Sequence, residues 1–201
     1  MEKDPEVRVV VIDANGKHFS TGISLDEFKK KSPKEYREFI HLMDEHNYTI
    51  ARMKKPVIAS VKGFALANGA GLSFACDLTV AAEDARFGTT AINVGLICLG
   101  PAAPLVRNVG RKKALELVLT GEMISAAEAQ RLGLVNKVVP PNSLMAEAKA
   151  LAKKLLTKSS RTLALAKAAT NSGANMSLSD GLDLEAQCFA LCFATEDQKE
   201  G

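Results

Sequence analysis

Short stretches dominated by β-branched and apolar residues alternate, in the first half of the chain, with segments that are apolar only at helical spacing. Val7 to Asp13 (VRVVVID) ends at Asn15-Gly16 and reads as a buried strand followed by a turn. Ser32-Pro33 then opens a long amphipathic helix whose apolar positions Tyr36, Phe39, Ile40, Met43, Ile50 and Met53 recur at helical spacing, with Pro56 as its stop. A second buried strand, Val57 to Val61, runs into a small-residue loop, Gly63 to Gly71, and a short helix carries Leu72 to Ala75. Asp77 to Ala82 is a third strand, and an irregular stretch follows from Phe87-Gly88 through Gly100-Pro101. Beyond Ala102 nearly everything is helical: Ser125 to Glu128 is a capping box, Val135 to Val139 a short strand, and amphipathic helices are expected near 143–156, 160–172 and 178–195. The pattern predicts an α/β core over residues 1–140 followed by a helical region over 141–201.

Composition narrows the classes of function. Of 201 residues 47% are hydrophobic, enough for one substantial core, and the net charge of +3 comes from interspersed signs, which argues against a nucleic-acid partner. Cys76, Cys98, Cys188 and Cys192 form no C-x-x-C pair, so they read as buried thiols rather than as a metal or redox centre. No apolar run reaches the ~20 residues of a membrane span, and the polar start Met-Glu-Lys-Asp-Pro has neither signal nor transit character. The expected location is cytoplasmic, with the mitochondrial matrix as the alternative for a chain whose targeting segment lies upstream.

Chemistry is expected at two strand-to-loop junctions, Lys17 to Ser24 and Gly63 to Gly71. Ligands of open α/β sheets gather outside the carboxyl ends of strands, and both loops would sit there if the strands are parallel. Small residues admit a ligand close to the backbone, and a helix starting near Gly69 would aim free N–H groups at it. One amide from each loop could form an oxyanion hole for a thioester carbonyl. Close packing of helix on strand explains the same glycines, and both readings stay open on the residues alone.

Phe19-Ser-Thr-Gly-Ile-Ser-Leu resembles the F-x-x-G-A-D-L element of the crotonase superfamily, the enoyl-CoA hydratase/isomerase family. Pro56 to Leu72 resembles its P-V-I-A-A-V-x-G-x-A-x-G-G-G-x-x-L element, and Cys76-Asp77-Leu, Ala85-Arg-Phe-Gly, Val94-Gly-Leu, Leu119-Thr-Gly-Glu, Ala129 to Val139 and the tail from Phe193 follow in the family's order. The resemblance implies a spiral ββα core with a C-terminal helical trimerisation region, a homotrimer or hexamer, and an acyl-CoA thioester as substrate in fatty acid metabolism, with no cofactor beyond the coenzyme A that the substrate carries and no metal. It assigns the oxyanion amides to Ile23 and Asn68 and draws Thr21, Gly22, Ser24, Ala67, Gly69, Asn93 and Cys98 toward the substrate. It further implies strands and a helix ahead of Val7, and a basic helical extension beyond Gly201.

Hydration needs one group to activate water and another to protonate the α-carbon. The two glutamates of family hydratases fall here on Gly71 and Ala91, and the aspartate of the first element on Ser24. Two-glutamate hydration is therefore not expected, whereas isomerase or decarboxylase chemistry, which needs fewer proton-handling groups, remains open. The other reading is a non-catalytic acyl-CoA-binding protein or hetero-oligomer subunit. Other polar residues carry weaker expectations: Asp77 as a structural cap, Asp26 and Glu27 in a helix first turn, Glu83 and Asp84 in a solvated turn, and Thr89 and Thr90 near the pocket. His18 is expected at a strand end, His41 and His46 do not share a metal-binding face, and Lys29 to Lys31, Lys54-Lys55 and Arg111 to Lys113 are basic clusters, the first of them a candidate partner for nucleotide phosphates.

Overall fold

The structure is a computed structural model that describes residues 2–24, 26 and 31–193. Glu27, Lys29, Lys30 and the tail from Ala194 lie outside them. Its spine is a four-stranded, wholly parallel sheet in the order β1 (Val10–Ile12), β2 (Val57–Val61), β4 (Leu78–Ala82), β7 (Lys137–Val139). A second sheet is formed by β3 (Phe64–Leu66), β5 (Arg86–Gly88) and β6 (Met123–Ser125), with β5 parallel to β3 and antiparallel to β6. Ser20 extends this smaller sheet by one bridge to Ala65.

Chain order turns these pairs into a spiral. From each of β1, β2 and β4 the chain crosses to the smaller sheet, at Ser20, β3 and β5; α1 (Pro33–Arg52) and α2 (Asn68–Ala75) return it to the large sheet, whereas α3 (Ala102–Thr120) leads to β6 and a further short helix over 126–131 returns it to β7. The described architecture is the α/β class expected from the sequence, a ββα spiral with α4 (Ala126–Arg131), α5 (Leu144–Leu156), α6 (Ser160–Gly173) and α7 (Leu178–Phe193) after it.

Three strands were not visible in the pattern. β3, β5 and β6 are three residues each, too short for alternation to register, and they exist because Phe64 to Leu66 pairs with Arg86 to Gly88 and that strand with Met123 to Ser125. The expected loop over 63–71 therefore contains a strand and the first turn of α2, which begins at Asn68 rather than at Leu72. α1 does open at Ser32, whose Oγ accepts from Glu35 N while Glu35 Oε2 accepts from Ser32 N, a complete capping box. It stops at Arg52, four residues before Pro56. α3 is two helical segments meeting at Gly110, whose backbone (φ 75°, ψ 165°) is not helical.

β2 is buried on both faces along its whole length, as befits the centre of a parallel sheet. One face carries Ala59, Val61 and Ala81 into a core completed by α2, α3 and α4, with Phe87 and Leu105 fully enclosed. The opposite face packs Ile58, Val80 and Ala82 against Leu144 and Ala148 of α5. Many of these positions are alanine, which lets helix and sheet backbones approach closely.

α6 is fastened in part by a half-buried ion pair. Lys167 Nζ lies 2.7 Å from Asp77 Oδ2 and donates also to Lys55 O, while Asp77 Oδ2 accepts from Val57 N at 2.7 Å. Asp77 thus joins the start of β2 to α6. Burial pushes its carboxyl upward, against the pull of Lys167. Lys167→Met leaves that carboxylate enclosed without its cation, and an equilibrium denaturation at neutral pH should show a loss of about 3 kcal/mol. Because the folded Asp77 then binds its proton more tightly than the unfolded one, the deficit should shrink as pH falls through the folded-state value and persist above it.

Candidate active site

Both glycine loops leave the carboxyl ends of parallel neighbours, β1 and β2, and they are laced together by main-chain bonds. Phe19 N donates to Lys62 O at 2.9 Å, Ser20 N to Phe64 O at 3.0 Å and Leu66 N to Ser20 O at 2.8 Å. His18 adds a latch: its Nδ1 accepts from Phe64 N, and its ring stacks on Phe64 at 4.6 Å between centroids. That Nδ1 is committed to the backbone of the other loop.

Such closeness is permitted by missing side chains. A Cβ on Gly69 would come within 2.6 Å of Ser20 Cβ and Oγ, and one on Gly22 (φ 96°) would meet Ala67 Cβ at 3.1 Å and lie 3.6 Å from Asn68 N. The first loop's glycine therefore rests against the amide of Asn68. Asn68 opens α2 with helical backbone, so its N–H has no intrahelical acceptor. Neither Ile23 N–H nor Asn68 N–H donates to another of the described residues. The strained backbone of the loop falls on Ala67, at φ 50°, ψ −122°, the one non-glycine residue with positive φ among the described residues. An alanine held there stores strain at the mouth of the candidate site.

Asn68 also uses its side chain. Nδ2 donates to Leu99 O at 3.3 Å and makes a longer contact of 3.5 Å with Met43 O on α1. Asn47 Nδ2, on the same helix, donates to Gly100 O at 3.3 Å and to Asp44 Oδ1 at 2.6 Å. Residues 99–100 are thus clamped between α1 and the start of α2. Asp44 and Asn47 were not anticipated as site residues, although a signal existed. On the apolar face of α1, positions 46 and 47 fall between Met43 and Ile50 where the period demands apolar side chains, and they are His and Asn. His46 Nε2 and Asn47 Oδ1 are buried with no hydrogen-bond partner among the described residues, and burial holds the His46 imidazole below its usual range.

The positions of the hydratase glutamates border the same loop. Gly71 is buried, and a Cβ there would lie 2.9 Å from Pro101 N and 3.0 Å from Gly100 C. Ala91 is half-buried and its N–H donates to Cys98 Sγ at 3.2 Å, so the thiol caps the 3-10 turn over Thr90–Val94. Burial raises the Cys98 thiol, offset in part by the N–H groups of Ala91 and Ile92. Thr89 is buried and donates to Leu117 O, and Asn93 is exposed with its amide donating to Gly121 O. Thr21 and Ser24 are exposed on the first loop, with Ile23 half-buried between them.

A cleft of about 650 Å³ lies elsewhere, by the amino ends of β1 and β2. Arg8, Lys54, Lys55 and Arg161 line it, with Arg8 donating to Ser160 Oγ and Lys158 O, and Lys55 to Asp4 O. Among the described residues no cluster of three His, Cys, Asp or Glu could hold a metal, and no helix is long and apolar enough to cross a membrane.

This geometry, two interlocked loops on a ββα spiral, has close counterparts. The family model for enoyl-CoA hydratase/isomerase matches residues 1–201. The chain is 41% identical to the crotonyl-CoA hydratase of Syntrophomonas wolfei over 200 residues, 98% of this chain and 77% of that protein. A probable mitochondrial enoyl-CoA hydratase of Dictyostelium discoideum is 39% identical over 203 residues, spanning all of this chain and 72% of the other. Among solved structures, enoyl-CoA hydratase subunit I of Geobacillus kaustophilus superposes with a TM-score of 0.93 at 37% identity, over 100% of this chain and 77% of that one. Human enoyl coenzyme A hydratase domain-containing protein 3 gives a TM-score of 0.93 at 35% identity, over 100% of this chain and 79% of its own. The chain belongs to the enoyl-CoA hydratase/isomerase family, and its fold is the crotonase fold.

Two substitutions test the loop crossing. Ala67→Gly relieves the positive φ and should stabilise the protein by about 1 kcal/mol, a rise in Tm of about 2–4 °C for a chain of this size. Gly69→Ala drives a methyl group into Ser20 and should lower stability by about 1–3 kcal/mol. Thermal unfolding followed by circular dichroism reads both.

Proposed function

We propose that the protein is an acyl-CoA-binding enzyme of its family that holds the thioester carbonyl between the amides of Ile23 and Asn68. The observation that carries this reading is the seat of Gly22 against Asn68 N, with both amides unspent. Preorganised N–H groups of this kind stabilise negative charge as it develops on the carbonyl oxygen, a contribution of about 2.7–4 kcal/mol per donor in related acyl chemistry. The names of the relatives, hydratases of crotonyl- and other enoyl-CoA thioesters, support the same substrate class. Thr21, Gly22, Ser24, Ala67 and Gly69 would border the thioester, and Asn93 and Cys98 would shape the far wall through the loop they anchor.

The chemistry proposed is double-bond isomerisation or decarboxylation rather than two-glutamate hydration. Gly71 and Ala91 carry no proton-transferring group, and the space in front of Gly71 is filled by Gly100 and Pro101. A non-catalytic subunit is the second reading, favoured by α7, on which Leu178 is 81% and Phe189 66% exposed, a face suited to a homotrimer, a hexamer or a different partner chain.

Calorimetric titration with a saturated acyl-CoA, run beside a crotonyl-CoA hydration assay, tests the proposal. Binding without hydration is the expected outcome; hydration by the unmodified chain would overturn the assignment of Gly71 and Ala91. Gly71→Glu should not confer hydration, because its Cβ meets the Pro101 backbone, and it should destabilise the fold by about 1–3 kcal/mol.

A further inference from the structure

α1 turns its apolar side to the core, and one turn before its buried Ile50 that side carries a histidine. Ile50 packs with Val10 of β1 and Val57 of β2, and Ile12, Met53 and Leu72 close around them. His46, four positions earlier, is half-buried, with Nε2 enclosed and without a hydrogen-bond partner among the described residues. The ring's hydrogen bond runs to the backbone of Met43. Met43 O is also what Asn68 Nδ2 reaches across to α1, at 3.5 Å. The residue after His46 is Asn47, which donates to Gly100 O at 3.3 Å. The histidine therefore stands inside the joint by which α1 holds residues 99 and 100 to the start of α2.

A neutral imidazole suits this place and an imidazolium does not. Protonation would put an N–H on Nε2, where none of the described residues is placed to accept it, and a positive charge on a face otherwise packed by apolar side chains. The surroundings do little to offset that. α2, β1 and β2 contain no titratable side chain. Cys76 at the end of α2 and Cys98 in segment 91–101 are thiols that burial raises, so they stay uncharged at and below neutral pH. On α1 itself Asp44 favours the imidazolium, but by less than the loss of solvent disfavours it, and His41 and Glu45 are exposed.

We propose that His46 makes the hold of α1 on residues 99 and 100 acid-sensitive: with the imidazole neutral the helix closes on them, and with the imidazolium formed it withdraws, giving up the bond from Asn47 to Gly100 O and the contact of Asn68 with Met43 O. The driving force is linkage. The folded chain binds this proton less tightly than the unfolded one, so protons favour any state in which the ring meets water. The cost of keeping the ring enclosed is absent above the unfolded value of about 6.5 and grows as pH falls from there toward the lower folded value. Segment 91–101 borders the candidate site, and its fixed shape therefore belongs to neutral pH. The device is independent of what the site binds.

Nuclear magnetic resonance of the isotope-labelled chain, followed from about pH 7.5 down to about pH 5, where histidines change charge, tests the proposal. The His46 ring should titrate below an exposed histidine, and the Asn47 side-chain amide and the Gly100 N–H should shift along the same curve. In His46→Gln, which keeps a polar side chain but does not titrate over this range, those two signals should stay in place. Thermal unfolding supplies the second measurement: between the same two pH values the unmodified chain should lose about 2–4 °C more in Tm than His46→Gln. Carboxyl groups such as Asp77 titrate in both chains, so the difference isolates the ring. Asn47 and Gly100 signals that ignore the His46 titration overturn the proposal, as does a shift that persists in His46→Gln. A His46 ring that titrates at or above the value of an exposed histidine overturns it too. Should His46→Gln fail to fold, His46→Leu, which suits the same apolar face, takes its place in both measurements.

Discussion

The candidate site depends on one steric fact: the backbone of residues 18–22 lies so close over residues 62–69 that position 69 has no room for a Cβ. Three main-chain hydrogen bonds follow from that approach, and they fix the first loop relative to the amino end of α2 more firmly than side-chain contacts could. The same approach explains why Ala67 tolerates an unfavourable φ. Its N–H donates to Gly88 O, so the residue is bonded to the smaller sheet on one side and pressed by Gly22 on the other. Local strain is held by non-local pairing, a common condition of functional sites.

Segment 91–101 is the second element around which the site is arranged, and its restraints come from three directions. Cys98 closes it on itself through Ala91, Asn93 ties it to the end of α3, and Asn47 and Asn68 grip Leu99 and Gly100 from α1 and α2. It carries no regular structure beyond the 3-10 turn, yet its ends are bonded to most of the helices around it. A segment fixed in this way can form a wall against which a ligand is oriented without itself having to move.

Much of this was legible in the sequence and some of it was not, for physical reasons. The strands of the large sheet announced themselves because burial on both faces requires continuous apolar runs such as VIASV, and α1 because Ser32, Pro33 and Glu35 supply every part of an amino-terminal cap. The smaller sheet stayed hidden, since three-residue strands have no periodicity to read and their partners lie 22 to 39 positions away in sequence. Asp44 and Asn47 were overlooked because a polar residue on a helix is usually a solvated one; only the interruption of the apolar face at His46 and Asn47 distinguishes them. The role of Asp77 was readable as structural, but its partner Lys167, ninety residues on, was not.

α7 stands apart from these constraints. It buries none of its residues in the chain and packs chiefly on α6, with Phe189 and Phe193 meeting edge to face at 5.0 Å between ring centroids on its outer part. A helix held along one side has a small free energy of detachment, so its amide hydrogens should exchange with solvent through local opening long before those of β2 or β4 do. Whatever covers Leu182, Phe189 and Leu191 would add its own binding energy to that small number. A partner chain on this face would make the persistence of α7 a property governed by mass action, set by concentration as much as by sequence.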